Sequence, residues 1–234
     1  MAASPPESGD RQLGVLAKYW DPGKVKTRLI PYFGASNAAA LHQIFLETTL
    51  RRFTNLADRQ VLCFTPEAHR SSFEAMAADQ WDLLPQQEGD LGARIAGYFH
   101  DAFACGNKRV LLIGADTPHL PAPYIEEAFV ALEQHDLVFV VSEDGGYCLV
   151  GASRPVDPLT TDIDWGSSRV WEQTRKKIEA LGWSVRQLPS WYDIDRCEDV
   201  KRLQRDFTTH PLIKLPARDT CLYELQAKLK KICG

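Results

Sequence analysis

RVLLIGAD (109–116) and DLVFVVSED (136–144) run apolar on successive residues and then end on carboxylates. A strand with one wet face alternates polar and apolar residues. These two do not, so both of their faces must be covered. LGVLAKY (13–19), QVLCFTP (60–66) and WDLLP (81–85) also read as strands, and stretches of helical period lie between the runs. Helices are expected over 37–53 with Ser36 as N-cap, over 69–79, over 89–106 between Asp90 and Gly106, and over 121–135 behind a proline start. Strand alternating with helix implies an α/β fold: a mostly parallel central sheet with helices on both faces.

After residue 144 the rhythm changes. DGGYCLVGAS reads as a Gly-rich turn into a short strand, followed by a helix over 167–182, a strand within WSVRQLPSWYDID (183–195) and a helix over 197–207. One domain over 11–207 is expected, with a disordered tail at 1–10 and a helical appendage at 208–234. In that appendage Leu222, Tyr223, Leu225 and Leu229 form an amphipathic pattern, which suits either a partner or the core.

Composition narrows the function. A formal net charge of -4 argues against a surface built for nucleic acid. The start MAASPPESGDRQ resembles neither a signal nor a transit peptide, and no apolar run approaches the ~20 residues of a membrane span. The six cysteines lie far apart with no C-x-x-C pair, so reduced thiols are expected rather than disulfides or structural zinc. These readings predict a cytoplasmic protein with no membrane or nucleic-acid partner.

In open parallel sheets, ligands bind beyond the carboxyl ends of the strands. On that edge the sequence places GKVKTRLIP (23–31), where Lys24, Lys26 and Arg28 crowd five residues and Lys18 adds a fourth cation. The same edge receives Asp116, the stretch Glu143-Asp144-Gly145-Gly146-Tyr147, and the pair Asp193 and Asp195. Cations facing carboxylates suit a phosphate chain held through a divalent metal, and Gly23 allows close backbone approach. Asp195 and Glu198 have the spacing of a capping box, which predicts Asp195 as a helix N-cap and leaves Asp193 for the metal. G-x-G-x-x-G, P-loop, G-x-S-x-G and H-E-x-x-H patterns are all absent.

DPGKVKTRLIP, EGDLGARI, VLLIGADTPHL, SEDGGYCLVG, IDWGSSRVWEQT and YDIDRCEDVKRL follow one another in that order. Together they resemble a bacterial family of nucleotide-diphospho-sugar transferase-like proteins, the glycosyltransferase-like family linked to arsenosugar biosynthesis, over roughly residues 12–207. The chain departs from the family pattern at Lys18-Tyr19-Trp20, Val140-Val141 and Ala93. The resemblance implies a GT-A fold and a metal-dependent glycosyltransferase that moves a sugar from a nucleotide-diphosphate sugar to a small-molecule acceptor. A nucleotidyltransferase or a non-catalytic nucleotide-binding protein are the alternatives on this fold. The resemblance also implies roles for residues. Lys18, Gly23, Lys24, Lys26 and Arg28 would hold the phosphates, with Lys26 and Arg28 aiding the leaving group. Asp116 and Asp193 would take Mg²⁺ or Mn²⁺, with Asp116 catalytic. Asp144 or Glu143 would act as base. Gly145, Gly146 and Tyr147 would line the donor or acceptor side, and Asp90, Leu91 and Gly92 would sit near the base or sugar.

Overall fold

The computed structural model describes residues 9–213 and 219–233. Seven strands form one sheet: β1 Arg11–Lys18, β2 Arg59–Thr65, β3 Asp82–Pro85, β4 Arg109–Gly114, β5 Leu137–Ser142, β6 Tyr147–Ala152 and β7 Val185–Trp191. Their order is β3-β2-β1-β4-β6-β5-β7. Every pairing is parallel except those of β6, which runs antiparallel between β4 and β5. The carboxyl ends of β1, β4, β5 and β7 therefore share one edge, and β6 begins at that edge. The uniform apolarity of β5 has the expected cause, since all six of its residues are buried.

Eight helices cover the sheet in the described residues: α1 Ile30–Phe53, α2 Arg70–Ala77, α3 Leu91–Ala104, α4 Ala122–Ala131, the short α5 Asp157–Thr160, α6 Val170–Leu181, α7 Cys197–Thr209 and α8 Thr220–Cys233. One face packs against α1, α2, α4, α7 and α8 through Leu13, Phe45, Phe73, Ile125, Leu203 and Leu225. The opposite face packs against α3, α5 and α6 through Val110, Tyr98, Phe139, Leu159 and Ile178. No helix among the described residues is long and apolar enough to cross a membrane.

The structure corrects two local expectations and decides a third between its two alternatives. The first helix begins at Ile30, behind a 3-10 turn at Thr27–Leu29, and breaks at Gly34 (φ 78°, ψ 160°) instead of starting after Ser36. A proline in its first turn is compatible with that earlier start, because the N–H it lacks would have no partner within the helix there. The last core helix is capped differently. The Asp199 carboxylate accepts from the Arg196 N–H at 2.6 Å and the Asp195 N–H at 3.0 Å, so Asp195 is free for other partners. Third, α8 is not a free amphipathic partner helix. Leu222, Leu225 and Leu229 are buried against the core, and Lys228 reaches Glu47 of α1 at 2.9 Å while Glu224 pairs with Arg51. Of the expected tail, residues 1–8 lie outside the described residues, as do 214–218 and 234 of the appendage. Residue 10 is tied down, because its carbonyl accepts from the N–H groups of Lys108 and Arg109.

Candidate active site

The sheet edge opens onto a cavity of about 480 Å³, an ordinary size for a small-molecule site. Lys18, Arg28, Asp116, Asp144, Gly146, Tyr147 and Asp193 line it. Its floor is apolar: Leu16, Leu112 and Val150 project from the sheet face that α3 and α6 cover.

Lys26 departs most from the sequence reading. Its side chain is 2% exposed and does not line the cavity. The ammonium lies 2.7 Å from Asp116 Oδ1 and 3.9 Å from Asp195 Oδ1, and it donates to the Ile194 carbonyl. The backbone at Lys26 is left-handed (φ 46°, ψ 42°), a strain of about 1–3 kcal/mol that persists where the surroundings over-determine it. Three oxygens on one ammonium supply that constraint. Lys26 is a brace between the cation loop and the ends of β4 and β7, and is not a phosphate ligand facing the cavity.

Asp116 follows β4 at the turn. Burial works against its charge, but Lys26 and His42 outweigh burial and hold its carboxyl well below the usual carboxylate range. Oδ1 is buried while the side chain as a whole is 46% exposed, so the exposed part faces the cleft. His42 of α1, missed by sequence reasoning, lines the cavity beside it. Its Nδ1 is 3.6 Å from Asp116 Oδ1, and its Nε2 lies 2.9 Å from the Lys18 carbonyl. A polar residue inside ALHQIFL, an otherwise apolar helical stretch, is the signal that could have found it.

Across the cavity, Asp193 and Asp144 confront each other. Burial and the Asp144 charge push the Asp193 carboxyl up to about 6. Ser142 Oγ donates to Asp144 and lies 3.3 Å from Asp193 Oδ1, and the Gly146 N–H donates to Asp144 Oδ1 at 3.1 Å. Glu143 is not available as a base. It is held by Arg202, whose two terminal nitrogens reach its two oxygens, one at 2.6 Å and the other at 2.9 Å.

The remaining candidates divide between the cavity wall and the scaffold. Arg28 lines the cavity and pairs with Asp195, while Lys24 points outward to Asp21 at 3.1 Å. Asp90 is the N-cap of α3, its side chain accepting from the Ala93 N–H at 2.8 Å. Gly92 sits where a Cβ would come within 2.2 Å of the Thr160 carbonyl oxygen, and Gly145 (φ 94°) where a Cβ would come within 2.1 Å of the Ser168 carbonyl oxygen. Both glycines permit close packing of backbone, and neither lines the cavity. Gln86 and Arg94, also missed in the sequence, complete the end of the cavity near β1 and β2.

Among the described residues, no three His, Cys, Asp or Glu side chains already converge as a metal site. The donor set still fits a divalent cation. Asp193 and Asp144 repel each other more than nearby Lys26 offsets, and Asp116 presents carboxyl surface to the same cavity.

Comparison with known proteins agrees with the resemblance read from the sequence. A model of the family described as "Uncharacterized protein conserved in bacteria (DUF2064)" matches residues 49–167. A crystal structure of a provisionally named nucleotide-diphospho-sugar transferase from Desulfovibrio desulfuricans G20 is similar at 29% identity and TM-score 0.84, covering 96% of this chain and 98% of that one. A cytidylyltransferase from Leptospira borgpetersenii shares the fold at 15% identity and TM-score 0.54, with 96% and 97% of the chains covered. Rv0371c from Mycobacterium tuberculosis H37Rv, crystallised with manganese, does so at 18% identity and TM-score 0.52, with 83% and 97% covered. No curated protein matches the sequence.

Proposed function

This chain belongs to the family described as "Uncharacterized protein conserved in bacteria (DUF2064)", and on that premise we propose that it transfers a sugar from a nucleotide-diphosphate sugar to a small-molecule acceptor. One observation carries the reading: a single cavity at the carboxyl edge of the sheet has Lys18 and Arg28 on its wall together with Asp116, Asp144 and Asp193. Cations and carboxylates that share a cavity but do not all neutralise one another suit a polyphosphate brought in with a divalent cation.

In this reading Lys18 and Arg28 bind the diphosphate. Asp116 and Asp193, with Asp144 beside them, hold Mg²⁺ or Mn²⁺, which when bound would neutralise charge on the departing phosphate. Asp144 takes the acceptor's hydroxyl proton as the new carbon–oxygen bond forms and the bond from the sugar to the diphosphate breaks. Lys26 contributes only through Asp116, by keeping that carboxylate ionised and in place. The D. desulfuricans relative, named as a nucleotide-diphospho-sugar transferase, supports a nucleotide-sugar ligand, and the fold alone is shared with nucleotidyltransferases.

The test is a thermal-shift panel of nucleoside diphosphates, their sugars and nucleoside triphosphates, each with and without Mn²⁺. A ligand at about 100 times its Kd adds about 2.7 kcal/mol, several degrees for a chain of this size. A metal-dependent shift with one diphosphate and its sugar is the expected result. A shift confined to a triphosphate, with pyrophosphate release on turnover, would replace sugar transfer by nucleotidyl transfer.

A further inference from the structure

Arg94 lines the cavity beside the ends of β1 and β2, away from Asp144 and Asp193 after β5 and β7, and the proposed transfer gives it no task. It lies on α3, one turn from Leu91, and lines the cavity. Its Nε donates to the Gly89 carbonyl at 3.2 Å and its Nη1 to Gln86 Oε1 at 3.3 Å. Among the described residues no carboxylate lies within 4.0 Å of it. Arg28, by contrast, is paired with Asp195. Of the five N–H donors on a guanidinium, three are left to Arg94.

Gln86 has no donor left for a ligand. Its Nε2 donates to the carbonyls of Ala17 at 2.9 Å and Cys63 at 2.7 Å, which bridges the ends of β1 and β2, and its Oε1 accepts from Arg94. The side-chain amide is therefore spent on fixing Arg94. This end of the cavity offers fixed donors above an apolar floor of Leu16, Leu112 and Val150. A ligand group that suits it is flat, apolar on its faces, and bears adjacent hydrogen-bond acceptors on one edge.

Resting on the nucleotide reading above, we propose that Arg94, held by Gln86, selects the base of the bound nucleotide: it takes one with two adjacent acceptors, guanine (O6 and N7) or cytosine (O2 and N3), and disfavours adenine and uracil. Along the edge Lys18 follows β1, Asp116 follows β4, and Asp144 and Asp193 follow β5 and β7, while Arg94, bonded to Gln86 beside the ends of β1 and β2, stands far from that last pair, where the base of an extended nucleotide would fall. A two-pronged arginine contact to guanine O6 and N7 is a common means of base discrimination. Adenine presents an amino group to the same donors, and uracil places an N–H between its two carbonyls, so each wastes a donor.

The experiment measures Kd for GDP, CDP, UDP and ADP, and for inorganic pyrophosphate, against the wild type and the variants Arg94→Lys and Gln86→Leu. The melting temperature of each variant without ligand confirms that it folds. The wild type is expected to bind GDP or CDP roughly 5- to 150-fold tighter than ADP and UDP, the range of one good bidentate contact. Arg94→Lys keeps the charge and loses the fork. It should collapse that preference while leaving ADP and pyrophosphate within about twofold of the wild type. Gln86→Leu should weaken the preferred base in the same direction. Equal binding of all four diphosphates overturns the base assignment alone, and so does a preference that survives Arg94→Lys. If Arg94→Lys weakens pyrophosphate as much as GDP, Arg94 is a phosphate ligand and the assignment fails. Binding of none of the four overturns the nucleotide reading itself.

Discussion

The Lys26 ammonium sits 2.7 Å from Asp116 Oδ1, and both atoms are shut off from solvent. The loop that looked most like a phosphate grip therefore spends its central cation inside the protein. Its ammonium joins the cation loop to Asp116 after β4 and to Ile194 and Asp195 beyond β7, which gives the pair consequences for stability as well as for the site.

Lys26→Met should remove that join and leave Asp116 Oδ1 buried without a cation. The expected loss is about 2–3 kcal/mol, below the 3–5 typical of breaking fully buried pairs, because the Asp116 side chain is 46% exposed. Lys24→Met, at an exposed position paired with the partly exposed Asp21, should change stability by less than about 0.5 kcal/mol. Urea unfolding of the two variants checks this; equal losses would mean that Lys26 is not a brace.

Asp193→Asn should act in two opposite directions. Without metal it relieves the confrontation with Asp144 and should raise the melting temperature at pH 7.5, by about 1–3 kcal/mol in free energy. It should also abolish the additional stabilisation that Mn²⁺ gives to a bound nucleoside diphosphate. Differential scanning calorimetry with and without Mn²⁺ reads both effects. A variant that keeps the full Mn²⁺ effect would remove Asp193 from the metal site.

His119 supplies a pH dependence. It is fully buried, neither ring nitrogen has a hydrogen-bond partner among the described residues, and its ring lies 4.3 Å from that of Tyr192 and 5.5 Å from that of Trp191. Burial, with the Arg52 and Arg202 charges, holds its pKa well below the ordinary 6.5. Below pH 6.5 the unfolded chain then binds a proton at this residue that the folded one refuses. Stability must fall with falling pH, by up to about 1.4 kcal/mol per pH unit from this group. His119→Phe should flatten the wild-type slope by that amount in urea titrations at pH 7.5, 6.0 and 5.0; an unchanged slope would assign the acid sensitivity to other residues.

The sheet was legible because its signals are local. β4 and β5 are apolar on successive residues since both faces are covered, and Asp90 announces α3 through the same hydrogen bond that caps it. The direction of a side chain is not local. Lys26 looks the same in GKVKTRLIP whether it meets solvent or Asp116, and its partners lie far along the chain. Asp195 matched a capping pattern, but Asp199 supplied the cap once the chain between β7 and α7 bent so that Asp195 met Arg28. Glu143 looked as available as Asp144 until Arg202 of α7 folded onto it. Gln86 and Arg94 belong to no motif; only the apposition of β1, β2 and α3 gives them a joint role.

The peptide unit around Ile194 is engaged on both sides: its N–H donates to the Asp116 carbonyl at 2.9 Å, and its own carbonyl accepts from Lys26, 168 residues away. A ribosome delivers the cation loop and Asp116 long before it delivers the residue that joins them. Closing so wide a span costs entropy before any contact repays it. A nascent chain can then build β1 to β4 and still have no formed pocket, because Asp193 and the Ile194 link arrive with the final third of the sequence. Formation of the cavity and completion of the fold become a single late event, and an unfinished chain has little with which to hold a ligand.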